Sequence, residues 1–239
     1  MSYLLIKNGT LVTMNPKRDI ITADILIKDD HIKEIGKKIQ IKADEQINAE
    51  GLTVIPGLIQ PHVHLTQTLF RGLADDLELL DWLKKRIWPL EAEHTFASNS
   101  ISARLGIAEL IMGGTTSIID MGTVHHTGAI CEAVQDTGYR AVVGKCMMDH
   151  GSDVPKGLME DTSDSIKKSE QLMEKWHLSA NGRIKYAMTP RFVVSCSEKL
   201  LLKVKEIASS NDLLVHTHAS ENRGEIALVE KERGMRNIK

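Results

Sequence analysis

The sequence predicts an α/β chain: an incomplete (β/α)8 TIM-type barrel of about five β/α units, preceded by a small N-terminal β module. Three observations carry that expectation. From Leu52 onward, short apolar runs alternate with amphipathic segments, the pattern of parallel strands joined by helical crossovers. Residues 1–51 read instead as short strands, with Asp29-Asp30 as the turn between two alternating segments. Two His-x-His pairs, His62/His64 and His216/His218, each fall at the end of an apolar run, where α/β barrels keep their reactive groups.

In the module over 1–51, part of a β-sandwich, strands are expected from Leu4 to Met14, Asp24 to Lys28 and His31 to Ile35. The barrel domain over 52–239 has strand candidates Thr53 to Ile59, Thr115 to Met121, Arg140 to Met147, Arg183 to Met188 and Asp212 to His218. Helices are expected at 75–88, at 96–112 before the Gly113-Gly114 stop, and at 128–137 before Gly138. Three more follow at 163–179, at 198–209 behind the N-cap Ser197, and at about 222–233 before Gly234. A closed barrel needs eight units and typically ~250 residues, so this one is expected to be C-terminally truncated. An open doubly wound sheet is the alternative, and the lack of a glycine-rich phosphate loop after any strand weighs against it.

A net charge of −2, with 42% hydrophobic and 26% charged residues, is ordinary for a soluble globular protein and implies no nucleic-acid partner. No apolar run approaches membrane-spanning length, so no membrane partner and a cytoplasmic location are expected. Cys131, Cys146 and Cys196 are odd in number and widely spaced, which points to packing rather than disulfides or a Cys-x-x-Cys zinc site.

Residues i and i+2 of a strand share a face, so His62 and His64 can converge on one metal ion. Taken alone, the first pair reads equally well as buried strand histidines bonded to backbone carbonyls. The second pair, followed by Glu221 three residues after His218, shifts the balance to a metal site.

Several segments then carry a resemblance: Pro56-Gly57-Leu58-Ile59-Gln60-Pro61-His62-Val63-His64, Phe70-Arg71-Gly72-Leu73-Ala74-Asp75-Asp76, Trp88-Pro89-Leu90-Glu91, Gly114-Thr115-Thr116, Thr189-Pro190-Arg191-Phe192 and His218-Ala219-Ser220-Glu221-Asn222. The chain resembles the amidohydrolase superfamily in its aminohydrolase and chlorohydrolase branch. It is most similar to 5'-deoxyadenosine and S-adenosylhomocysteine deaminases, and similar to guanine deaminase around Thr189 to Glu221.

That resemblance implies His62, His64 and His218 as ligands of one divalent metal ion, zinc before iron, with Glu221 as the proton shuttle. A mononuclear site is implied, because the fourth strand ends Ala187-Met188-Thr189-Pro190-Arg191 without a bridging lysine. The metal-activated water would attack the amine-bearing ring carbon of a small heterocyclic substrate, an adenosine-like nucleoside or a purine base. Glu91 resembles a carboxylate set near ribose hydroxyls, Arg191 an arginine that holds a ring oxygen, and Gln67 and Trp88 are read as pocket lining. His125, with His126, lies at the rim suited to substrate contact, and His216 is read as lining the barrel interior behind the ligands.

Plainer alternatives stay open: a first-turn helix acid for Glu91, a surface arginine after a turn for Arg191, loop histidines for His125 and His126, and a solvated carboxylate opening the next helix for Glu221. His31, His94, His150 and His177 are expected on the surface or on helices, while Asp120, Asp149 and Lys145 sit near strand ends without an assigned role. The family's later histidine and metal-binding aspartate have no counterpart here, so the chain alone is expected to be poorly active. A triazine-type chlorohydrolase and a non-catalytic truncated fragment are the alternatives to a deaminase, and a homo-oligomer is left open.

Overall fold

The strand Tyr3–Val12 (β1) is the hub of the first sheet, because its apolar residues face both ways along its length. It pairs antiparallel with Ile20–Lys28 (β2), which pairs antiparallel with His31–Gly36 (β3). Glu45–Asn48 (β4) and Thr53–Val54 (β5) add to β1 in parallel. In this computed structural model residues 1–238 are described, in two compact units divided between Gly57 and Leu58. The first unit is one five-stranded sheet. Adjacent residues of a strand point to opposite faces, so Ile25 joins Leu11 and Ala23 on one side while Leu26 joins Leu5 and Ile39 on the other.

The second unit has a parallel sheet ordered β11-β10-β8-β7-β6, with β9 pairing β10. Its strands are Leu58–Val63 (β6), Thr115–Asp120 (β7), Arg140–Val143 (β8), Cys146–Met147 (β9), Ile184–Pro190 (β10) and Leu214–Val215 (β11). The helices between them are Leu79–Trp82 (α1), Trp88–Ala92 (α2), Phe96–Met112 (α3), Thr127–Thr137 (α4), Thr162–Trp176 (α5), the short kinked turn Ser179–Gly182 (α6), Glu198–Ser210 (α7) and Arg223–Arg233 (α8). This is the curled half-barrel that strand-helix alternation predicted.

Local chemistry explains most boundaries. The helix α3 starts at a capping box in which Thr95 and Ser98 exchange side-chain and backbone bonds. Asp161, Ser197 and Asn222 cap α5, α7 and α8 through their side chains. Gly138 ends α4 at φ +70°, a conformation that favours glycine. The helix α4 then turns Ile130, Cys131, Ala133 and Val134 onto Ile118, Ala141 and Val143 of the sheet. Each such buried branched side chain stabilises the fold by about 1.5–3 kcal/mol.

The departures from expectation have causes. The run Thr53 to Ile59 is two strands, because Pro56-Gly57 interrupts it: Thr53–Val54 closes the first sheet and Leu58–Val63 opens the second. The run Arg140 to Met147 is also split, at Gly144, where an added Cβ would lie 2.4 Å from the Ala187 carbonyl oxygen. The helix expected at 75–88 begins only at Leu79 and continues to Ala92 through a π turn over Leu83–Ile87. Pro89 lacks an N–H and disturbs the regular ladder, and the wider turn just before it absorbs the change. The last strand is only Leu214–Val215, followed by an isolated bridge between Phe192 and His218.

Candidate metal centre

The parallel register brings the strand ends together. His62 lies in β6 and His64 follows it, while His216 and His218 follow β11. One nitrogen from each of His62, His64 and His218 falls within 4.8 Å of the others, and among the described residues this is the one such group of histidine, cysteine or carboxylate side chains. His64 Nε2 lies 3.0 Å from His218 Nε2, and their rings stack with centroids 5.1 Å apart.

Two backbone tethers fix these imidazoles. Arg191 C=O accepts from both the His218 amide, at 3.0 Å, and His218 Nδ1, at 2.9 Å. With its proton on Nδ1, His218 presents the Nε2 lone pair to the cluster. On the other side, Asp120 Oδ1 accepts the Leu65 amide at 2.7 Å, and Met121 N–H donates to Val63 C=O at 2.9 Å, which clamps both neighbours of His64 to the end of β7. Asp120 is fully buried, its Oδ2 has no hydrogen-bond partner among the described residues, and burial raises its pKa to about 7. Its proximity to the first strand is a register effect, Val63 facing Asp120, which the sequence did not disclose.

Electrostatics favour neutral rings. Burial lowers the pKa of His62, and lowers that of His64 well below the usual histidine value with help from the charge on Arg191. Burial likewise takes His216 to about 4 and His218 to about 3. Neutral imidazoles offer lone pairs, the form a zinc-like ion requires. The donor set therefore fits a divalent metal.

The substrate-contact candidates are placed differently. Glu91 and Arg191 are both buried and form a bidentate ion pair, Arg191 Nη1 to Glu91 Oε2 and Nη2 to Oε1 at 3.1 Å. Gln67 Nε2 donates to Glu91 Oε1 at 2.8 Å, and the guanidinium lies 6.0 Å from the Trp88 ring centroid. Four residues singled out separately thus meet in one knot. A surface position for Arg191 is overturned, since it is only 2% exposed. His125 Nε2 donates to Gly157 C=O at 2.8 Å and ties the loop after β7 to the loop before α5, while the exposed His126 starts α4.

Glu221 follows His218 in the loop before α8. Partial burial and the neighbouring Glu225 raise its pKa. Its amide is held by Glu225 Oε2 at 3.2 Å. His94 is not a surface residue: it is buried, bonded to Thr66 C=O and Ser98 Oγ, and stacked on Phe70. Another buried pair also lay beyond sequence reasoning. Lys145 Nζ donates to Glu160 and to Cys146 C=O, which holds the segment before α5 against the end of β8. A cleft of about 670 Å3 opens beside the cluster, lined by His62, His64, Gln67, Phe70 and Trp82 among others.

A parallel barrel-type sheet whose strand ends gather three imidazoles is an α/β barrel with a candidate metal site. The chain belongs to the amidohydrolase family, a metal-dependent family whose profile matches residues 53–238. It is 36% identical over 234 residues to the 5'-deoxyadenosine deaminase of Methanosarcina mazei, covering 98% of this chain and 52% of that protein. Its structure is similar to that of guanine deaminase from C. acetobutylicum with bound guanine in the active site, at TM-score 0.88 and 28% identity, covering 98% of this chain and 57% of the other. The fold is also that of atrazine chlorohydrolase from Arthrobacter aurescens complexed with zinc, at TM-score 0.86 and 22% identity, covering 98% of this chain and 56% of the other. The chain spans about half the length of the curated relatives it matches. No helix among the described residues is long and apolar enough to cross a membrane.

Proposed function

We propose that this chain supplies the metal-binding histidines and the acid-base glutamate of a hydrolytic deaminase acting on an adenosine-like nucleoside or a purine base. The observation that carries this reading is the set of three imidazole nitrogens within 4.8 Å of one another at the C-terminal strand ends. The names of the relatives supply the substrate class: 5'-deoxyadenosine, 5-methylthioadenosine with S-adenosylhomocysteine, and guanine.

His62, His64 and His218 would hold one divalent ion, and zinc suits a nitrogen donor set with neutral rings. A bound ion of this kind lowers the pKa of water toward ~7, so hydroxide is available at neutral pH. Glu221, placed three residues from a ligand and with its pKa raised, is suited to take the proton from the attacking water and pass it to the departing amine. Two groups must change places at the ring carbon, with hydroxyl entering and ammonia leaving, and one carboxylate able to accept and return a proton serves both halves. The cleft beside His62 and His64, about 670 Å3 with Phe70 and Trp82 in its wall, is of a size for a nucleoside and offers aromatic faces to a heterocycle. Gln67 lines this cleft and bonds to Glu91 of the buried Glu91–Arg191 pair behind it, through which these residues would support a bound substrate.

The test is ammonia release from a panel of adenosine derivatives and guanine, with metal content measured on the same samples, for this chain and for a version extended to the length of its relatives. Ammonia from at least one purine substrate in a metal-containing sample supports the proposal. Chloride release from a chlorinated triazine, without deamination, would replace it with the chlorohydrolase alternative.

A further inference from the structure

The three cluster histidines differ in what holds the ring nitrogen that faces away from the cluster. His218 is fixed by the Arg191 carbonyl. His64 is enclosed, and its Nδ1 is buried without a hydrogen-bond partner among the described residues. His62 is the exposed member, on an edge strand, so packing alone leaves its ring free to turn. Its Nδ1 lies 2.8 Å from His216 Nε2, with the two rings at 86° and their centroids 4.9 Å apart.

The geometry points to His216 as the positioning residue that sets the tautomer and orientation of His62. This rests on the metal-centre reading above. One imidazole must donate and the other accept. If His62 Nδ1–H donates, His62 Nε2 keeps its lone pair for a metal ion, and His216 carries its own proton on Nδ1, which is buried without a hydrogen-bond partner among the described residues, so metal binding must favour this tautomer over the reverse. The reverse arrangement leaves the His62 proton on Nε2, where it would block coordination. The backbone anchors the residue, because the His216 amide donates to Met188 C=O at 2.9 Å and the preceding residue, Val215, is in register with Met188 of β10. Through this contact a residue just after the fifth parallel strand in chain order, counting β8 and β9 as one, orients a ligand of the first, across the mouth of the sheet.

The experiment compares zinc affinity, by competition with a chromophoric chelator, for the wild-type chain, H216F and H216Q. Phenylalanine keeps the ring volume without an acceptor, and glutamine places an amide oxygen near the position of Nε2. The expected result is a 10–100-fold weaker zinc affinity in H216F, recovery to within a few-fold of wild type in H216Q, and no change in the melting of the metal-free proteins. A second readout needs no variant: imidazole nitrogen chemical shifts of the metal-free wild-type chain, expected to show His62 protonated on Nδ1. H216F binding zinc as tightly as wild type, H216Q as weak as H216F, or His62 protonated on Nε2 would overturn the inference alone. Wild-type protein that takes up no zinc overturns the metal-centre reading and this inference with it.

Discussion

The histidine cluster and the Glu91–Arg191 knot lie at the same end of the sheet, yet they handle buried polarity in opposite ways. In the knot, both oxygens of Glu91 and both terminal nitrogens of Arg191 are engaged, with Gln67 adding a further bond. In the cluster, imidazole nitrogens face one another with no charge to compensate, and burial keeps them neutral. A bidentate ion pair is a rigid support, even with Arg191 Nε left without a partner among the described residues, whereas a set of facing lone pairs is a site waiting for a cation. The comparison also shows why Arg191 matters twice: its side chain completes the knot while its carbonyl orients His218.

The largest expected effect lies in the cluster. H64A or H218A should abolish stoichiometric zinc uptake while leaving the metal-free melting transition cooperative; retained uptake in both would dissolve the distinction between the two regions. Next comes the knot. Removing one partner, by E91L or R191M, leaves a buried charge and should cost about 3–5 kcal/mol in urea unfolding. The double variant E91L/R191M should cost less than either single change, and equal additive losses would show that the pair is not a closed unit.

A pH titration of the metal-free protein sharpens the comparison further. His218 has a folded pKa near 3 against an ordinary 6.5, so its unfolded form binds a proton that the folded form refuses. The stability tied to its neutral ring is present above about 6.5 and lost as pH falls toward 3, by up to about 1.4 kcal/mol per pH unit for one proton. Asp120 works in the other direction, because its folded pKa is raised to about 7 and the stability tied to its protonated form is lost as pH rises through that value. H218Q should therefore flatten the acid limb, and D120N the limb between about 4 and 7; identical profiles for all three proteins would contradict the assignment. The smallest effect belongs to an exposed pair, Arg104 with Asp136, both about half accessible. R104A should cost about 0–1 kcal/mol, which would set the buried knot apart as a special case.

Much of the architecture was legible in the sequence, and the reason is local. Helix α3 matches its expected span, and the caps at Ser197 and Gly138 act through neighbouring backbone that a linear reading can see. The placement of His62, His64 and His218 was legible too, since strand periodicity and strand-end position bring them to one face. What escaped were contacts made by register or over long sequence distance. Asp120 reaches Leu65 only because β6 and β7 pair as they do. Glu91 and Arg191 are a hundred residues apart, and nothing in either segment announces that they bond to each other. The split at Gly144 reflects a close approach by Ala187, again invisible along the chain.

The central claim is that the cluster holds a divalent ion, and metal analysis after zinc reconstitution and desalting tests it most directly. The account predicts about one zinc per wild-type chain and none in H64A. A wild-type chain that retains no zinc, or an H64A chain that retains as much as wild type, would contradict it.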